Sequence, residues 1–369
     1  MYERKRKKEK DGNSGGVQDI IEIYNMLEDE QSKEIYLNRL NWLISGNVKY
    51  IDDIVASYMP WLPPHRVNIL RHAAEIRDSL PKDRKFVLYG AGAIGKEVLP
   101  IYRTDRRLIG FCSQAKAQQE NGYLGYPVMS PEELLARKDL SVVISTINAF
   151  EEIRQILKAG GYPEDQIYGG FEYTWCAGFG QYFAPDFIVF EDEEVFIDVG
   201  CFDLETSLEM RKRCRHLKKV YALEPDPDNY ETCLEKKLQH EFNEVELLAA
   251  GAWSERTVLC FDATNSGHSR IDGDGTTSIS AVPIDEIVDS SDKVTMIKLD
   301  IEGAELEALK GARETILRHK PKLAICIYHK PEDMIDIPLY IKELVPEYKL
   351  YVRHYTNTND ETVLYAVMP

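Results

Sequence analysis

The stretch Val294–Ala312, read as VTMIKLDIEGAELEALKGA, constrains the fold more tightly than any other part of this chain. Val294–Leu299 is a short apolar run of the kind that forms a buried strand. The run stops at Asp300-Ile301-Glu302-Gly303, after which Leu306, Leu309 and Ala312 recur at helical spacing. A strand that passes directly into a helix, through a glycine free to turn sharply, is half of a βα unit. The turn sets two carboxylates, Asp300 and Glu302, at the carboxyl end of the strand, the edge where open α/β sheets bind ligands. Acids also suit a helix start on electrostatic grounds alone. The strand-end position favours working groups.

A length of 369 residues accommodates two domains and a helical appendage. The net charge of −17 counts against a nucleic-acid partner, because phosphate contacts need a basic surface. No apolar run approaches the roughly 18–20 residues of a membrane helix, so no integral membrane segment is expected. The seven cysteines are scattered and form no CxxC pair, which favours free thiols in a reducing compartment over disulfides or zinc. The basic residues Met1–Lys10 run into Asp11–Gly16 rather than an apolar core, unlike a secretory signal. Residues 1–16 therefore read as a disordered tail, and the location as cytoplasmic.

Residues 17–80 read as a helical arm, with Ile20, Ile23, Tyr24, Leu27, Ile35, Leu37, Leu40, Leu43 and Ile44 at three- and four-residue steps. Ser45-Gly46-Asn47 is a helix stop. The arm carries no catalytic constellation, so it reads as a docking or dimerising element, a homodimer through it being one of the two expectations. Residues 85–170 read as a Rossmann-like domain. Phe86–Tyr89 is a strand, Gly90-Ala91-Gly92-Ala93-Ile94-Gly95 follows in GxGxxG spacing, and a helix runs to Tyr102. The second strand, Arg107–Cys112, ends in Ser113-Gln114 where a ribose-binding acid would stand. Nucleotide binding and glycines kept for close packing are equally good readings of this unit. Ser130 with Pro131 marks a helix start, Ser141–Ile147 a strand and Ala149–Ala159 a helix. Residues 171–186 are a linker whose Tyr173, Trp175, Phe179, Tyr182 and Phe183 either stack on a sugar or adenine face or seal a seam.

Residues 187–369 show strand after strand with helices between, the pattern of a doubly wound sheet. Glu194–Ile197 runs into Asp198-Val199-Gly200-Cys201-Phe202-Asp203, and Lys219–Leu223 ends at Glu224-Pro225-Asp226. An acid-glycine strand end followed about 25 residues later by a second strand-end acid is a nucleoside-binding geometry. There Gly200 lets the backbone approach a ligand, and Glu224 can accept both ribose hydroxyls. His329 follows the strand Leu323–Tyr328 and joins Asp300 and Glu302 as a candidate base. Asn265–Arg270 with Gly273–Thr276 is either an acceptor loop or a surface hairpin.

Four segments together resemble the FkbM-type family of S-adenosylmethionine-dependent methyltransferases. They are Phe196–Gly200, Ala222–Asp226, Ala250–Trp253 and, most specifically, Ile297–Glu305 with its sequence IKLDIEGAE. The resemblance implies an α/β chain of two Rossmann-like units, the second a doubly wound class I methyltransferase sheet, preceded by the helical arm. It implies S-adenosylmethionine as cofactor and a sugar hydroxyl of a glycan, glycolipid or glycosylated metabolite as acceptor. It also implies that Asp198, Gly200, Cys201, Phe202, Glu224, Pro225, Ala252, Trp253 and Asp300 line the cofactor. Asp198 and Gly200 would meet its methionine part, and Ala252-Trp253 its adenine. Asp300, Glu302 and His329 would face the chemistry. Spacing shows no metal ligands, though carboxylates could hold Mg²⁺. Leu204 stands where the family usually has glycine, and a leucine does not take positive φ cheaply. Two other expectations compete: an NAD(P)- or nucleotide-sugar-binding protein acting through 85–170, and a non-enzymatic scaffold with a decayed cofactor loop.

Overall fold

A computed structural model describes residues 15–60, 68–171, 180–183, 187–262, 270–271 and 277–369. The described residues fall into two compact units. One lies within Leu37–Gly178 and Thr356–Asn359, the other within Met1–Tyr36, Phe179–Tyr355 and Asp360–Pro369.

The first unit is built on five parallel strands: β1 (Phe86–Tyr89), β2 (Leu108–Cys112), β3 (Val128–Met129), β4 (Ser141–Ile144) and β5 (Ile167–Gly169). Their order across the sheet is β3-β2-β1-β4-β5. Side chains alternate across a strand. Phe86 and Leu88 therefore pack with Val98, Ile101 and Tyr102 on one face. Val87 and Tyr89 pack with Leu134, Ile153 and Leu157 on the other. Both faces are covered, which is why β1 reads as an unbroken apolar run. Ser130 caps its helix as the sequence predicts, in a reciprocal capping box with Glu133 and with Pro131 in the first turn.

The glycine turn after β1 is accounted for by packing. Gly90 has φ +129, and a Cβ there would meet the Ser145 carbonyl oxygen at 2.7 Å. A Cβ on Gly95 would meet the Gly90 carbonyl oxygen at 2.2 Å. The turn's carbonyls are also taken: Ser145, Gln118 and Tyr123 donate to those of Gly90, Ala91 and Gly92. Only Gly92 faces open space.

The second unit carries eleven strands among its described residues: β6 (Glu194–Val199), β7 (Leu217–Leu223), β8 (Val245–Leu248), β9 (Gly251–Ala252), β10 (Thr257–Asp262), β11 (Arg270–Ile271), β12 (Thr277–Val282), β13 (Met296–Leu299), β14 (Lys322–Cys326), β15 (Lys349–His354) and β16 (Thr362–Val367). Seven of them form one sheet in the order β15-β16-β14-β13-β6-β7-β8. The five from β14 to β8 are parallel, and β16 runs antiparallel to both β14 and β15. This doubly wound order with an antiparallel penultimate strand is the class I methyltransferase sheet. A separate four-stranded sheet, β11-β10-β12-β9, holds the insertion between β8 and β13. The sequence reading had not anticipated that sheet, whose four short strands all fall within residues 251–282.

The region read as a single helical arm is divided. The helix Gly15–Met26 belongs to the second unit, where Ile23 and Leu27 are buried. Leu27 bridges to Leu350, and the Glu28 amide donates to the Leu350 carbonyl at 3.0 Å. Arg353 pairs with Asp29 at 2.6 Å and donates to Ser32. The helices Lys49–Tyr58 and Ile69–Ser79 belong to the first unit. Part of the apolar stripe that suggested a dimerising surface is thus buried within the chain's own units, as helical stripes usually are.

Candidate active site

In the seven-stranded sheet the strands around β6 end in register. Val199 pairs with Leu223 on one side and Leu299 on the other, and Leu299 pairs with Ile325. Gly200, Glu224 and Asp300, each following directly, are therefore delivered to one edge. The strand order reverses between β6 and β13, and that switch point is where open α/β sheets form their ligand crevice.

The turn after β6 requires its glycine. Gly200 has φ +71, and a Cβ would lie 2.0 Å from the Asp300 carbonyl oxygen. Phe202 and Leu204 also take left-handed φ, +54 and +64. Leu204 adopts the conformation expected to be too costly for it, directly before the helix Glu205–Arg213. Burial of its whole side chain in the core, worth about 1.5–3 kcal/mol, offsets a left-handed cost of about 1–2 kcal/mol. The loop is formed, not decayed.

Glu224 is 5% exposed and pins this loop, accepting the Phe202 amide at 3.0 Å and the Asp226 amide at 2.9 Å. Burial raises its carboxyl above the ordinary value against the pull of those two amides. Phe202 stays 49% exposed beside it, Cys201 is buried with its Sγ 3.7 Å from that of Cys233, and Pro225 is half-buried.

Asp198 is a correction to the sequence reading. It is fully buried, accepts the Ser207 hydroxyl at 2.7 Å and pairs with Lys298 at 3.2 Å, so it presents no surface to a ligand. The buried pair lies across the β6–β13 register, and Lys298 also donates to the Gly200 carbonyl at 2.6 Å. Asp198 supports the turn from beneath. Loss of either partner would strand a buried charge, a change that costs about 3–5 kcal/mol.

Asp300, Glu302 and His329 do come together. His329 Nε2 lies 3.4 Å from Asp300 and 3.8 Å from Glu302, while Nδ1 is 2.7 Å from Glu305. The Asp300 and Glu302 side chains are 23% and 16% exposed, His329 only 2%. Glu302 holds φ +55, a strained backbone of the kind found at working sites. Tyr182 donates to Asp300 at 2.6 Å and Tyr328 at 3.3 Å. Burial would raise the Asp300 carboxyl, but Lys298, His329 and the Tyr182 hydroxyl outweigh it and hold it below its ordinary value.

Burial disfavours the charged form of His329. Glu305 above all, then Glu302 and Asp300, reverse this and push it up to about 10. The ring therefore carries its proton at neutral pH. In that state the ring helps to hold the Asp300 carboxyl below its ordinary value. Glu361, which pairs with Gln181, is pushed up to about 8 by burial and Asp300.

Ala252 is buried, and Trp253 packs its carbonyl against Gly311 and donates its amide to Val282 at 3.0 Å. Their contacts are with β12 and the helix Glu305–Gly311, whereas those of Glu224 are with Phe202 in the β6 loop and with Asp226 after β7. Tyr182 and Phe183 are buried rather than presented for stacking. Tyr173, Trp175 and Phe179, like residues 263–269 and 272–276 of the suggested acceptor loop, lie outside the described residues. Among described residues Cys112, Cys201, Cys214, Cys233 and Cys326 are free thiols. No helix there is long and apolar enough to cross a membrane.

The sequence reading gave no role at this site to Lys298, Tyr328 and Glu361, and did not place Tyr182 beside Asp300 or Glu305 beside His329. Lys298 had a signal, a charge inside an otherwise apolar strand. Glu361 had none, since a neighbour 61 residues from Asp300 is invisible to local pattern.

Comparison with known proteins followed from this geometry. Residues 198–354 match the family model of the methyltransferase FkbM domain. The hexuronic acid methyltransferase AglP of Haloferax volcanii is 31% identical over 159 residues, 42% of this chain and 63% of that protein, so the match spans under two thirds of the relative. The crystal structure of methyltransferase FkbM from Methylobacillus flagellatus aligns with a TM-score of 0.48 at 21% identity, covering 86% of this chain and 98% of that one. A putative methyltransferase from Streptococcus mutans aligns with a TM-score of 0.32 at 16% identity, over 48% of this chain and 90% of that one. The IKLDIEGAE turn at the switch point of the sheet lies inside the stretch, residues 198–354, that matches the methyltransferase FkbM domain.

Proposed function

We propose that the chain is an S-adenosylmethionine-dependent O-methyltransferase acting on a sugar hydroxyl of a glycan, glycolipid or glycosylated metabolite. The observation that carries this reading is the single edge on which the Gly200 turn, Glu224 and the Asp300–Glu302–His329 cluster stand in register. The sugar acceptor is suggested by the relative named for hexuronic acid.

The residues fit the cofactor chemically. The Glu224 oxygens accept the Phe202 and Asp226 amides, and a carboxylate has about four lone-pair sites in all, which suits a ribose diol. The left-handed turn from Gly200 to Leu204 leaves Phe202 exposed beside it for apolar contact. Asp300, whose carboxyl is held below its ordinary value, favours a nearby cation, and the cofactor supplies a methyl group on a positively charged sulfonium. Gly200, Cys201, Phe202, Glu224, Pro225, Ala252 and Trp253 are the proposed binding set, with Asp198 and Lys298 supporting it.

Asp300 and Glu302 accept the hydrogen of the acceptor hydroxyl and aim its oxygen. The hydroxyl proton would pass to one of these carboxylates as the methyl carbon exchanges its bond to the sulfonium sulfur for one to the acceptor oxygen, the sulfur leaving as a neutral thioether. Alignment of the two partners can contribute about 7–11 kcal/mol, and a placed base about 10²–10⁴-fold. His329 helps to hold Asp300 ionised from behind.

Calorimetry with S-adenosylmethionine tests the binding half. Wild type should bind, and Glu224→Ala should lose about 10–100-fold in affinity, as expected for hydrogen bonds to a charged group. Absence of binding by the wild type ends the proposal. Incubation with uronic acid and neutral-sugar acceptors, read by mass spectrometry for an added methyl, tests the transfer half.

A further inference from the structure

The cluster behind Asp300 holds more buried acceptor groups than one imidazolium satisfies. Asp300, Glu305 and His329 each offer a ligand atom within 4.8 Å of the other two. Glu305 and His329 are almost wholly buried, and Oε2 of Glu305 and Nε2 of His329 have no hydrogen-bond partner among the described residues. Such orphaned buried atoms are costly unless something meets them.

The ring is also oriented as a metal ligand would be. Nδ1 of His329 faces Glu305 Oε1 at 2.7 Å, and that oxygen is fixed in turn by the Ile301 amide at 2.9 Å. Metal-ligating histidines characteristically give their second ring nitrogen to a carboxylate in this way. Nε2 is left aimed between Asp300 and Glu302.

We propose that Asp300, Glu302 and Nε2 of His329 form a site for one divalent transition-metal ion, with Glu305 orienting the ring from Nδ1, at the edge that the proposed methyltransferase uses for its acceptor. Two carboxylates and one imidazole suit an ion of the Mn²⁺, Fe²⁺ or Zn²⁺ class better than Mg²⁺, which prefers an all-oxygen shell. Ligand bonds of about 2.0–2.2 Å place neighbouring donors about 3 Å apart, so the 3.4 Å between Nε2 and Asp300 needs only a small contraction. Three protein ligands leave positions open for an acceptor oxygen, as in catalytic sites. The ion would replace the proton on Nε2, since both answer the same negative charge. A second grouping, Asp300 with Cys326 and Glu361, lacks the oriented imidazole and is not chosen.

The role of this ion rests on the proposed function, but its binding does not, and the two are separable. The full chain is stripped with EDTA and titrated with Mn²⁺, followed by calorimetry and electron paramagnetic resonance, with S-adenosylmethionine binding measured on the same sample. One ion per chain is expected. Asp300→Asn, Glu302→Gln, Glu305→Gln and His329→Gln should each weaken it at least about 10-fold. Circular dichroism checks folding, and Asp300→Asn, at a partly exposed position, keeps the test valid should the two buried variants fail to fold. No uptake at millimolar Mn²⁺, or uptake indifferent to the folded variants, overturns the site and leaves His329 a plain ion-paired imidazolium. Cofactor binding without metal would sink only this inference; metal binding without cofactor would sink only the proposed function.

Discussion

The two sheets share a strand order around their glycine turns yet differ in what stands at the strand ends. In the first unit β1, β2 and β4 end at Gly90, Ser113 and Ser145, and hydroxyl and amide groups close over the turn. In the second unit β6, β7 and β13 end at Gly200, Glu224 and Asp300, with His329 beyond β14. One topology thus supports a packed, neutral edge in one place and a charged edge in another. Topology supplies the crevice, and the side chains at its rim decide whether chemistry can occur there.

Four measurements would break or sharpen that contrast. Replacing Asp300 by Asn should have the largest effect, a fall in methyl-transfer rate of about 10²–10⁴-fold with cofactor affinity within about tenfold of wild type. An unaffected rate would remove Asp300 from the chemistry. Next is Gly200→Ala, whose Cβ would collide with the Asp300 carbonyl. It should destabilise the second unit by about 3 kcal/mol, roughly 6–12 °C in melting temperature by scanning calorimetry.

The third measurement concerns pH. The His329 pKa is raised by folding, so its contribution to stability is full below the unfolded value near 6.5 and is lost as pH rises towards 10. Wild type should therefore lose stability between about pH 7 and 10 in urea titrations, and His329→Gln should lose less. Parallel pH dependence in the two proteins would refute the ion pairing. The smallest effect is expected for Gly92→Ala, whose Cβ meets nothing within 4 Å and whose φ of −134 is ordinary. It should shift stability by less than about 0.5 kcal/mol. If that variant also abolished a measurable NADH fluorescence response of the wild type, the first edge would be a binding site after all.

Much of the architecture was legible in the residues. Phe86–Tyr89 and Ser141–Ile144 read as strands because their apolar runs are buried on both faces, and Ser130 announced its helix by its capping pattern. The grouping of Asp300 and Glu302 was legible because both sit on one turn, and His329 because it follows a strand of the same sheet. Two residues stand in surroundings that the sequence did not announce, for a shared reason. Asp198 appeared exposed to ligand because it precedes Gly200, yet it faces Lys298 across the sheet. His329 appeared a base because its intrinsic pKa is near neutrality, yet three carboxylates surround it. Charge state depends on neighbours, and these neighbours come from separate strands.

By itself the sequence determined the succession of strands, turns and helices, the glycine that the β6 turn demands and the acids that end β7 and β13. Those features depend on periodicity and backbone freedom, which act over a few residues. Only the tertiary structure decided that Lys298 neutralises Asp198, that Glu305 orients His329 and that Tyr182 and Glu361 gather near Asp300. Strand register brings residues dozens to more than a hundred positions apart within about 3–4 Å, and Coulomb energy at that range in a poorly solvated interior outweighs any intrinsic preference of the side chains.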